Sequence, residues 1–134
     1  MLSIVLAVLL ASTSLNEGDR LWNLRAEGSS GGRAAAAPID GAIAAYEKAV
    51  AENPNALEPR WKLLRSLRFK GAYVAQSNDE KKAIYSKAKA AGEDALKVVY
   101  RHLQVAPDAP EKQVAAAAKK VAGAGEVFAW DAVN

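Results

Sequence analysis

Apolar residues recur along most of this chain every three or four positions, the spacing that gathers them on one side of a helix. After Asp79 the stripe is Ile84, Ala88, Ala91, Ala95 and Val98; between Asp40 and Pro54 it is Ala42, Ile43, Tyr46, Ala49 and Val50. Trp61, Leu63, Leu64 and Leu67 share the apolar side of a helix predicted over about Ala56 to Val74. Leu21, Trp22 and Leu24 do the same for one predicted from Leu15 to about Ala26. No segment alternates as a half-buried strand would, so the predicted fold class is all-α.

Punctuation residues divide these stripes. Asp40 and Asp79 are predicted helix caps, and Asn55 with Glu58 three residues on has capping-box spacing. Pro54 stops one helix, and the run Gly28-Ser29-Ser30-Gly31-Gly32 is too flexible to be helical. Beyond Val99, Ala106 to Pro110 reads as a loop with Pro110 suited to the first turn of a helix over Glu111 to Val121. Gly123 and Gly125 end that helix, and Glu126 to Asn134 begins another with Val127, Phe128, Trp130 and Val133.

Leu2 to Ala11 is an almost unbroken apolar run, about half the roughly 20 residues a membrane-spanning helix needs. Ser12, Thr13 and Ser14 follow it. That layout predicts an export signal over residues 1–14, cleaved near Ala11 to Ser14, although no Lys or Arg precedes the apolar run. The other readings are an uncleaved membrane-associated segment and a first core helix. The expected product is exported, periplasmic or secreted, with residues 15–134 as its one domain and no stable membrane span once the signal is removed.

Composition narrows the chemistry. With no Cys there is no disulfide, thiolate metal site or cysteine nucleophile, and the single histidine, His102, cannot build a histidine metal cluster. His102 continues an apolar stripe and reads as a half-buried or capping residue. Asp79-Glu80 and Glu93-Asp94 are sequence neighbours, which diverge on a helix instead of converging on one substrate. The glycines lack the spacing and lysine of a phosphate loop. A net charge of +3 is too small to argue for nucleic acid. The expectation is a protein that is not an enzyme, with no catalytic residue, metal or cofactor.

Laying Trp22 to Ala51 over Trp61 to Ala90, an offset of 39, aligns ten identities in thirty positions. They include Trp22 with Trp61, Leu24 with Leu63, Tyr46 with Tyr85 and Ala49 with Ala88. Self-similarity on this length scale marks repeat architectures. The predicted units are helix hairpins over about 15–54 and 55–104, with a partial third over 105–134.

The run Ala42-Ile43-Ala44-Ala45-Tyr46-Glu47-Lys48-Ala49-Val50-Ala51-Glu52-Asn53-Pro54 resembles the second helix of a tetratricopeptide repeat, with small residues at Ala42 and Ala49, an aromatic at Tyr46 and a closing proline. Trp61 and Leu64 fall where the next repeat's first helix keeps its aromatic and leucine, and Trp130 suggests a third start. The chain departs from that family in its period, 39 instead of about 34, in Arg65 after Leu64, and in a longer turn over Asn78 to Lys82. Trp61, Leu64 and Phe69 with the later Phe128, Trp130 and Asn134 are also similar to the helical-repeat subunits associated with bacterial TRAP-type transporters.

The resemblance implies antiparallel helix pairs stacked as a solenoid, whose first helices line a groove for a protein or peptide partner. It implies packing roles for Trp22, Tyr46, Ala49, Trp61, Leu64, Tyr85, Ala88 and Trp130. Arg60, Lys62, Arg65, Arg68 and Lys70 crowd one helix; of that helix, Lys62, Arg65, Ser66 and Phe69 are the expected groove residues. A carboxylate clamp of the family's kind fits poorly, since Ser66 and Glu27 stand where asparagines belong. The alternative function is a small-ligand carrier of the transporter-associated kind, which needs a closed cavity lined by Trp and Tyr. The last apolar helix has three open destinations: folding back, self-association with a second copy, or further repeats.

Overall fold

The computed structural model describes residues 2–134, with side chains from Thr13 onward. Of the stretch 1–14 read as an export signal, residue 1 lies outside the described residues and residues 2–14 belong to the first helix. Six helices follow in order: α1 (Leu2–Asn23), α2 (Ala36–Glu52), α3 (Glu58–Tyr73), α4 (Asn78–Leu103), α5 (Glu111–Ala118) and α6 (Ala124–Val133). There is no strand among the described residues, only an isolated bridge between Ser30 and Arg33 in the α1–α2 loop.

Each helix packs on its neighbour in sequence through α4, and α6 then returns to lie on both α3 and α4. Side-chain contacts give the directions. Ser14 meets Glu52 and Asp19 meets Tyr46, so α1 and α2 are antiparallel. Lys70 pairs with Asp40 across α3 and α2, and His102 at the end of α4 reaches Asn55 just before α3. Asp19 meets Lys62 and Trp22 meets Phe69, so α1 and α3 run the same way. The core has two parts. Ile39, Ala42, Ile43, Tyr46, Leu63, Leu67 and Ala88 fill one, and Leu57, Leu64, Ala95, Val98, Val99, Leu103, Ala124 and Val127 fill the other.

The two helix pairs α1/α2 and α3/α4 are joined in the same manner. The ring of Tyr46 on α2 lies against Gly18 of α1, and that of Tyr85 on α4 against Gly71 of α3. A Cβ added at Gly18 would sit 2.6 Å from the Tyr46 Cδ1, and one at Gly71 would sit 2.6 Å from the Tyr85 Cε1. Glycine costs a helix roughly 1 kcal/mol relative to alanine. Here it clears the space into which an aromatic ring seats.

The pairing of Trp22 with Trp61 does not survive. Trp22 is the second-last residue of α1, whereas Trp61 lies in the first turn of α3. The offset of 39 therefore matches the second helices and mismatches the first, because the loop before α2 is much longer than the one before α4.

Predicted caps also moved. Helix α2 begins at Ala36, so Asp40 lies inside it and pairs with Lys70 at 2.7 Å. Helix α3 begins at Glu58 with no side-chain cap, and Glu58 turns instead to Lys62. At α4 the cap is Ser77, not Asp79: its hydroxyl accepts the Glu80 N–H at 3.1 Å while the Glu80 carboxylate accepts the Gln76 N–H. The last helix, α6, folds back on α3 and α4. It buries Ala124 and Val127, sets Phe128 edge-on to Tyr100, and leaves Trp130 half-buried against the second core.

Candidate functional site

The five cations crowded on α3 are distributed round the helix. Arg60 donates twice to the Pro54 carbonyl, Lys70 pairs with Asp40, and Arg68 stands 5.3 Å over the Tyr85 ring. Lys62, expected to reach a groove, is 8% exposed. Its ammonium donates to Asp19 Oδ2 at 2.8 Å and to Glu58 Oε1 at 2.7 Å. Ser66 is fully buried, and its hydroxyl donates back to the Lys62 carbonyl at 2.8 Å. These two are corrections: a buried ammonium must be paired, and Asp19 provides that pair from a helix far away in sequence. Neither Lys62 nor Ser66 is open to a partner.

Arg65 and Phe69 do reach the surface, and they bring α1 with them. The Arg65 guanidinium lies 3.8 Å from the centre of the Trp22 ring and 5.0 Å from that of Trp61. On Trp22 a second guanidinium, that of Arg25, stands at 4.2 Å. Phe69 meets Trp22 edge-on at 5.7 Å and packs on Tyr73, which is 51% exposed. Arginine and aromatic side chains thus alternate across the seam between α1 and α3. Cation–π contacts of this kind contribute about 0.5–1 kcal/mol each at exposed sites.

The same seam has a polar floor. The Tyr46 hydroxyl donates to Asp19 Oδ1 at 2.7 Å, so both Asp19 oxygens are engaged, one by α2 and one by α3. Burial first, and then the bond to Asp19, raises the Tyr46 pKa above its ordinary value. Burial lowers that of Arg65, with Tyr46 and Asp19 opposing and Arg25 adding to the effect. With Asp19 committed to Lys62 and Tyr46, neither Arg25 nor Arg65 has an ion-pair partner among the described residues. The face therefore combines apolar rings with two guanidiniums that make no direct ion pair, Asp19 acting on Arg65 from beyond ion-pair distance.

The remaining predicted residues do structural work. Ala49 and Ala88 are buried, Leu64 is fully buried, and Tyr85 is half-buried against Gly71. His102 is exposed, and its Nε2 lies 2.6 Å from the Asn55 carbonyl, which ties the end of α4 to the loop before α3. Among the described residues no group of His, Asp and Glu is placed to hold a metal ion, and no helix is long and apolar enough to cross a membrane. Sequence reasoning missed Asp19, Arg25 and Tyr73. The only sequence signal for Arg25 was its place three residues after Trp22, where a helix or its closing turn sets side chains one above another. No family model matches the chain, and neither a curated protein nor a solved structure matches it.

Proposed function

We propose that this chain is a non-enzymatic binding scaffold of tetratricopeptide type, exported, whose α1–α3 face receives an extended acidic segment of another protein. The observation that carries the reading is the alternation Arg25–Trp22–Arg65–Trp61 across two helices of like direction, with no carboxylate committed to either guanidinium. Guanidinium groups recognise carboxylates through fixed pairs of donors, and the rings beside them offer apolar contact to intervening side chains. The matching Tyr-on-Gly joints in the two helix pairs support a repeated hairpin, the element from which helical solenoids are stacked. The apolar run Leu2 to Ala11, followed by Ser12 to Ser14, supports export.

A fluorescently labelled Asp/Glu-rich peptide tests the reading against a Lys-rich peptide of equal length. The acidic peptide binds, its affinity falls as salt rises, and Arg25→Glu combined with Tyr73→Ser weakens it about tenfold, the sum of one exposed charge contact and one apolar contact. The circular dichroism of the variant stays that of the parent. Equal binding of both peptides, or an acidic peptide indifferent to the double substitution, contradicts the reading.

A further inference from the structure

On α4, away from the α1–α3 seam, the turn after the helix builds a second kind of surface. Gln104 closes α4 in the left-handed conformation (φ 55°), and the chain folds back so that Val105 and Pro107 face Leu96 and Tyr100. Together they line an open depression of about 570 Å³ whose walls are almost wholly apolar. That volume lies within the range of roughly 300–1,000 Å³ typical of small-molecule sites. Tyr100 is backed by an edge-on contact with Phe128 of α6, at 5.8 Å.

The charge at the rim is positive. Lys97 and Arg101 line the depression, one turn apart on α4. Lys97 is engaged only by an exposed pair with Asp94 at 3.4 Å, and Arg101 has no ion-pair partner among the described residues. Arg101 also borders a second depression of about 420 Å³, shared with Asn55, Val98 and His102. Nearby Arg60 is affected by the same charge: burial lowers its pKa first, Asp94 opposes, and Arg101 lowers it further. Arg101 therefore stands between an apolar trough and a polar hollow, with its positive charge unanswered.

We infer that this groove is a binding site for an anionic amphiphile, its hydrocarbon tail lying on Leu96, Tyr100, Val105 and Pro107 and its head group on Arg101. A neutral apolar molecule would leave the guanidinium unused, and a compact inorganic anion would leave the apolar walls wet. A single-chain carboxylate satisfies both halves. This site is independent of the acidic-peptide face, which shares none of these residues.

The probe is dodecanoate, titrated below its micelle concentration into the ¹⁵N-labelled full chain, with hexanoate and 1-dodecanol as comparisons. Amide shifts concentrate between Leu96 and Pro107, and hexanoate binds far more weakly, because each methylene withdrawn from water contributes severalfold in affinity. Arg101→Gln weakens dodecanoate about fivefold, the scale of one exposed ion pair, and leaves dodecanol within twofold. Val105→Asp abolishes binding of both. Arg25→Gln, on the other face, changes neither. Arg101 is exposed and Val105 is half-buried against the second core, and unchanged helical circular dichroism establishes that both variants fold. Shifts scattered over the molecule, equal affinities for dodecanoate and dodecanol, or indifference to Arg101→Gln overturn the assignment.

Discussion

Tyr46→Ala lowers the stability of this protein by about 3–5 kcal/mol, the range for removing a fully buried aromatic side chain. Tyr46 is 0% exposed and touches three helices' worth of structure: it covers Gly18 of α1, belongs to the core shared with Leu63 and Leu67 of α3, and lies close to Arg65. Truncation opens a cavity that Gly18 cannot fill, since it has no side chain to relax into the space. Tyr46→Phe separates the two contributions. It keeps the ring and removes one hydrogen bond to Asp19, for an expected loss of about 1 kcal/mol. Urea unfolding followed by circular dichroism measures both. A Tyr46→Ala variant within about 1 kcal/mol of the parent would mean that the ring is not seated between the helices.

Asp19→Ala is expected to cost about 2–3 kcal/mol. Breaking a buried pair by removing one partner typically costs about 3–5 kcal/mol, because it strands the other charge. The smaller figure follows because the Asp19 side chain is itself 39% exposed and Lys62 keeps Glu58. The loss of the acceptor for Tyr46 adds to it. The informative comparison is the double variant Asp19→Ala with Lys62→Met. A methionine in place of the buried ammonium needs no counter-charge, and swapping buried ion pairs for apolar residues is often neutral. The double variant therefore recovers most of the stability that the single one loses. Additive losses in the double variant would show that Asp19 and Lys62 do not meet.

Helix positions were legible because a helix announces itself locally, through a stripe every three or four residues and a proline or glycine run at its end. Pro54, the Gly28–Gly32 loop and the break before Glu111 all fell where the chain turns. Caps were less legible. Asp40 and Asn55 are good cap residues, but tertiary contacts took precedence: Lys70 engages Asp40, and α3 starts beyond Asn55. The candidate face was half legible. Periodicity put Lys62, Arg65, Ser66 and Phe69 on neighbouring parts of one helix, yet it could not tell which of them a second helix would cover. That depended on Asp19, 43 residues before Lys62. Arg25 and Tyr73 join the face only because α1 and α3 flank α2 in the same direction, a fact no local pattern encodes.

The offset of 39 joins equivalent places in the second helices and unlike places in the first. Tyr46 and Tyr85 align at the offset of 39 and do the same task. Trp22 and Trp61 align equally well and sit at opposite ends of their helices, brought to the same arginine from different sides. What the two share in the structure is Arg65, not a position in a hairpin.

Two helix pairs, each joined by a tyrosine over a glycine, lie against one another through α2 and α3, with Trp22 and Phe69 meeting at the edge. Nuclear Overhauser contacts measured on the full chain in solution test this arrangement most directly. The account predicts cross-peaks from the Tyr46 ring to Gly18 Hα, from the Tyr85 ring to Gly71 Hα, and from the Trp22 indole to Phe69. Sharp helical spectra in which the two tyrosine contacts are missing, or in which Trp22 meets no residue of α3, would contradict it.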